Sequence, residues 1–167
     1  MKKVIAFFLV FAIASTLTSN IALASGNNEF SQKNIIFVAD DPSMVITDYG
    51  QDDSIASRSN TVVNLGTNGT SSISWSLAGN QTIRSAYNYI TGSGKIILKV
   101  TSSPACTVVF YIYDSSDSLV ASSSVYVASS GTTSIPFSNL FTNREYYIKA
   151  QNTSLSTISL SGIIAAS

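Results

Sequence analysis

The sequence predicts an all-β fold, an antiparallel β-sandwich of seven to nine strands, and three observations carry that expectation. Ser71-Ser72-Ile73-Ser74-Trp75-Ser76-Leu77 alternates strictly, which puts Ile73, Trp75 and Leu77 on one face of a strand. Turn signals separate short apolar runs at the spacing of a sandwich or barrel. Beyond the leader, no stretch reads more strongly as an amphipathic helix than as a strand.

The chain opens with a segment that stands apart from this fold. Lys2 and Lys3 precede the uncharged apolar run Val4–Ala14, and Ala22-Leu23-Ala24 follows as a small-x-small cleavage signature. This is the layout of a secretory signal peptide, residues 1–24. The run is well short of the roughly 20 residues a spanning helix needs, so no transmembrane anchor is expected after cleavage. The expected location is extracellular or at the cell surface, of a bacterial type. Residues 25–167 then carry seven Lys+Arg against nine Asp+Glu. No clustered basic face is present, so nucleic acid is not an expected partner. Cys106 is the only cysteine, which rules out an intramolecular disulfide, and its place at the head of an apolar run predicts burial.

Residues 25–60 read as a polar, acidic N-terminal extension. Asp40, Asp41, Asp48, Asp52 and Asp53 lie here, with Pro42 and Gly50. One run, residues 34–39, is apolar (NIIFVA) and predicts an isolated strand. That strand either opens the chain's own sandwich or adds to the sheet edge of a neighbouring subunit. Asp48-Tyr49-Gly50-Gln51-Asp52-Asp53 gathers three carboxylates, a set that suits calcium, though not at EF-hand spacing. No other cofactor is expected. The plainer expectation for Asp48–Asn60 is a solvated linker with little to bury.

The sandwich is expected over 61–167. After Ile73–Leu77, Ala78-Gly79-Asn80 is a turn. Thr82–Ile90 admits helical spacing (Ile83, Tyr87, Ile90) and a strand face (Ser85, Tyr87, Tyr89). The strand is favoured, because Thr91-Gly92-Ser93-Gly94 then closes a hairpin onto Lys95–Thr101. In that strand Ile96, Leu98 and Val100 face inward and Lys99 outward. Cys106–Tyr113 and Leu119–Val127 flank Asp114-Ser115-Ser116-Asp117, whose short polar side chains suit a turn. Thr133–Phe137 is a short strand, placed at an edge or end by Pro136. Leu140 and Phe141 are expected to fold inward from the next loop. Glu145–Gln151 and Ser156–Ile164 are the last strands. Sequential hairpins imply antiparallel pairing.

Tyr111-Ile112-Tyr113-Asp114 with Leu119-Val120-Ala121, and later Tyr146-Tyr147-Ile148-Lys149-Ala150, resemble the secreted bacterial β-sandwich modules of the pre-peptidase C-terminal type. The resemblance spans residues 95–164. It implies a jelly-roll-like ancillary domain and not a catalyst. Arg144-Glu145 stands where such modules usually carry a glycine, and no hydrolase domain is expected ahead of the segment.

The chain contains no histidine, which removes His-based acid–base and nucleophilic arrangements, and one cysteine cannot build a zinc site. No phosphate-binding loop or nucleophile elbow occurs. The expected protein is therefore a non-enzymatic binding or surface-associated module, whose partner is carbohydrate, cell envelope or another protein. On the strand from Cys106, the apolar face (Cys106, Val108, Phe110, Ile112) belongs to the core. Tyr111 and Tyr113 point outward, toward Tyr126 or Tyr147 if those strands are neighbours. These four tyrosines are the candidate ligand face, and cross-strand pairing that merely stabilises the sheet is the competing reading. Self-association through residues 34–39 is the alternative function.

Overall fold

The computed structural model describes residues 33–37, 45–54 and 60–167. The leader at 1–24, Val38 and Ala39 of the expected strand, and Asp40 and Asp41 lie outside the described residues. Among the described residues there are thirteen strands and no helix. They are β1 (Asn34–Phe37), β2 (Thr47–Asp48), β3 (Gln51–Asp52), β4 (Thr61–Asn64), β5 (Thr70–Leu77), β6 (Thr82–Arg84) and β7 (Asn88–Ile90). Then follow β8 (Ile96–Ser103), β9 (Cys106–Asp114), β10 (Leu119–Val127), β11 (Thr133–Phe137), β12 (Tyr146–Asn152) and β13 (Ile158–Ala166).

Two sheets hold these strands. In the first, β12 is central: β9 and then β10 lie on one side, while β6 and β7 share the other. Beyond β7 come β4 and β1, and beyond β6 comes β3. The second sheet runs β11-β8-β13-β5-β2. The inward faces meet in one core. Val108, Phe110, Ile112, Ile148 and Ala150 come from the first sheet, and Ile73, Trp75, Leu77, Ile96, Leu98, Val100 and Leu160 from the second. Burying each large apolar side chain contributes about 1.5–3 kcal/mol, which is how a chain without a disulfide holds together.

The sandwich expected from alternation is present, with two differences of detail. More strands are present than the seven to nine expected, because very short strands such as β2 and β3 carry too little pattern to be read. The sheets are also mixed: β1–β4, β4–β7 and β2–β5 pair in parallel. Among the described residues only β9–β10 is a hairpin between consecutive strands; β6 and β7 follow one another along the same side of β12, and most other connections cross between the sheets. Thr91–Gly94 accordingly does not close a hairpin, since β7 and β8 lie in different sheets. Alternation reports which face is buried, and crossing between sheets satisfies it as well as a hairpin does.

Asp48 accounts for two further departures. It is 0% exposed, so this part of the acidic segment is no solvated linker. β2 joins β5 and β3 joins β6, which ties residues 47–52 to both sheets. Oδ1 of Asp48 accepts from Trp75 Nε1 (3.0 Å), Gly50 N (2.8 Å) and Ala86 N (3.0 Å), and Oδ2 accepts from the Tyr89 hydroxyl (2.7 Å). Because the Ala86 N–H turns to this carboxylate, the expected strand 82–90 is broken into β6 and β7. Ser85 patches the gap, its hydroxyl accepting from Ile148 N (3.1 Å) and donating to Tyr87 O (2.8 Å). In the loop before β12, Leu140 is buried as expected, but Phe141 is 66% exposed, with the Arg144 guanidinium 4.9 Å from its ring centre.

Candidate functional site

The outer face of the first sheet carries most of the residues singled out in the sequence. Tyr147 lies opposite Tyr113, and Lys149 opposite Tyr111. The Tyr113 and Tyr147 rings stack in parallel, 5.3 Å apart and 8° from coplanar. Tyr111 tilts against Tyr113 at 6.3 Å, and its hydroxyl donates to Gln151 Oε1 at 2.9 Å. Lys149 Nζ lies 4.8 Å from the Tyr113 ring centre while pairing with Asp53 at 2.9 Å.

The four tyrosines do not play one role. Tyr111 and Tyr113 are partly exposed. Tyr147 is 3% exposed: Tyr113 stacks on it from β9, and Arg84 from β6 sets its guanidinium carbon 3.8 Å from the ring centre. Its hydroxyl donates to Asp117 Oδ1 at 2.9 Å. Burial, then that bond and the Asp117 charge, push the Tyr147 phenol well above the ordinary tyrosine range. Tyr126 is exposed but stands opposite Thr107, four residues along β9 from Tyr111, roughly 13 Å at strand rise, and so lies apart from the cluster.

The three carboxylates considered for calcium are not brought together. Asp48 is enclosed by the donors already described. Asp52 accepts from the Ser54 hydroxyl and N–H and from Gln81 Nε2, which hold it below the ordinary carboxylate range. Asp53 pairs with Lys149. Among the described residues no group of three or more potential ligands is placed to hold a metal ion. Asp114 is turn chemistry: Oδ1 accepts from Ser116 N and Ser118 N, and Oδ2 pairs with Arg144 at 3.1 Å.

A pocket of about 120 Å³ opens beside the stacked rings. It lies at the break between β6 and β7, flanked by Arg84 and Asn88, with Tyr147 opposite. Ser115 and Asp117 of the β9–β10 turn line it, as do Lys33, Asn60 and Glu145. Glu145 is engaged by Lys33 Nζ and, at 3.3 Å, by Asn88 Nδ2. This pocket was not legible in the sequence. Its one local signal is Arg84, a charge in the Thr82–Ile90 run, and the rest of the lining is recruited from four other segments.

No protein-family description matches this chain, and no curated protein matches it.

Proposed function

We propose that this protein is a secreted, non-catalytic binding module that contacts carbohydrate or cell envelope through the outer face of its β9–β12 pair. One observation carries the reading. Tyr113 is held flat by its stack on a buried Tyr147, with Lys149 beside it and Tyr111 adjoining, and both outer rings keep exposure. A rigid ring costs little entropy on binding and offers its apolar surface to a sugar. Lys149 and Gln151 supply hydrogen bonds at the edge. The absence of histidine from the sequence and the engagement of Asp48, Asp52, Asp53 and Asp114 by protein donors favour binding over catalysis. The likeness of residues 95–164 to pre-peptidase C-terminal modules points the same way, and its two motif strands, β9 and β12, are direct neighbours.

The test is a glycan-array and cell-wall pull-down comparison of the wild type with Tyr111→Ala plus Tyr113→Ala. A loss of about tenfold or more is expected, since removing stacked aromatic anchors costs over 1 kcal/mol each. Undiminished binding by the double variant sinks the proposal.

A second reading, self-assembly by strand addition, is favoured by β1. This strand pairs with β4 of its own chain and forms one edge of the first sheet, leaving Ile35 and Phe37 exposed. An edge strand anchored on one side exchanges readily. If it assembles copies, Ile35→Glu plus Phe37→Glu converts the oligomer to monomer by size-exclusion chromatography; an unchanged elution profile excludes this role.

A further inference from the structure

We propose that the pocket between β6 and β7 binds a single carboxylate group, received by Arg84. Arg84 is 6% exposed, yet among the described residues its guanidinium makes no ion pair and no hydrogen bond; its contact is the Tyr147 ring. The neighbouring cations differ: Lys33 pairs with Glu145, Lys149 with Asp53 and Arg144 with Asp114, and the side chains of Lys33 and Arg144 are nearly half exposed. Among the described residues the more deeply buried Arg84 has no ion-pair partner. Burying a cation is costly unless it is paired and hydrogen-bonded, and a cation–π contact offsets only part of that cost.

Geometry selects the ligand. A guanidinium lying on an aromatic ring keeps its N–H edge in the plane, and that edge matches a planar carboxylate in a two-point bond. Arg84 lines the cavity, so the edge has somewhere to place such a group. Asn60, Asn88 and Ser115 add uncharged polar groups to the wall. Asp117 and Glu145 also line it, and their charge disfavours a dianion such as phosphate. At about 120 Å³ the cavity is far smaller than the roughly 300–1,000 Å³ of pockets that enclose a drug-sized molecule. It therefore takes the acidic end of a ligand, with the rest outside. This inference depends on Arg84 and the cavity, and stands whether or not the tyrosine face binds sugar.

The experiment titrates the intact protein with acetate, with acetamide as the neutral isostere, and with chloride and phosphate at matched ionic strength. The Arg84 Nε–H and Tyr147 ring signals are followed by NMR. Saturable shifts with acetate and none with acetamide or chloride are the expected result. Arg84→Gln is expected to weaken acetate about tenfold or more, and Arg84→Lys to lose most of the affinity while keeping the charge, because the fork is gone. Thermal midpoints check that both variants fold, and Arg84→Lys carries the test if the glutamine variant does not. Acetate shifts no different from those with chloride, or acetate binding that survives loss of the guanidinium, overturn the proposal. Phosphate binding tighter than acetate overturns the choice of carboxylate.

Discussion

At the residue scale, one carboxylate does more than any other polar group to shape this sandwich. Asp48 accepts four bonds in a site closed to water, and one of them opens the gap that Arg84 and Asn88 flank. Replacing it by alanine strands the buried donors of Trp75 and Tyr89, each worth about 1–3 kcal/mol when left unmade. Asp48→Ala is therefore expected to lower unfolding free energy by about 2–6 kcal/mol in urea denaturation, and a loss under about 1 kcal/mol would contradict the network. The phenols it and Asp117 hold set an alkaline limit. Burial first, and then the neighbouring carboxylate, push the pKa of both Tyr89 and Tyr147 above the ordinary tyrosine range in the folded state. The unfolded chain thus releases these protons near the ordinary value of about 10, and the folded chain holds them longer. Their contribution is complete below about pH 10 and declines above it, by at most about 1.4 kcal/mol per pH unit for Tyr89. Denaturation midpoints between pH 8 and 11.5 should show this fall. Tyr147→Phe should lessen it, and identical profiles would rule out a raised Tyr147 pKa.

At the element scale, β9 was the most legible strand and β13 hides the tightest constraint. Cys106, Val108, Phe110 and Ile112 point into the core as their alternation indicates, and the Asp114–Asp117 turn carries the expected Asx-type bonds. Every second residue of β9 meets the same environment, so two-residue periodicity suffices to read it. β13 instead depends on Gly162, central in the second sheet between Val100 and Ile73. A Cβ there would stand 2.0 Å from the Lys99 carbonyl oxygen, a backbone atom that cannot move aside. Gly162→Ala is expected to cost about 2–4 kcal/mol, at the upper end of single-substitution effects, and a thermal midpoint within 2 °C of wild type would show that β8 and β13 can part without penalty. The split of β6 from β7 was not legible, because its cause, Asp48, lies more than thirty residues earlier in the chain.

At the scale of the whole molecule, local pattern and long-range pairing divide the information between them. Local pattern is enough to read the all-β class, the inward sets on β5, β8 and β9, the burial of Trp75 and Cys106, and the turn role of Asp114. Each of these follows from a window of a few residues, where alternation and turn chemistry act directly. Long-range pairing settles that most consecutive strands cross between the sheets, that β1 joins its own chain in parallel, and that Asp48 belongs to the core. It also decided which tyrosine is surface and which is filling: Tyr113 and Tyr147 carry the same outward periodicity, yet Arg84 from β6 closes over one of them. Periodicity tells a side chain which face of its sheet it occupies. Which neighbour then stands beside it is set by pairings between residues far apart in the chain, and that neighbour gives Arg84 an aromatic bed beside an open cavity.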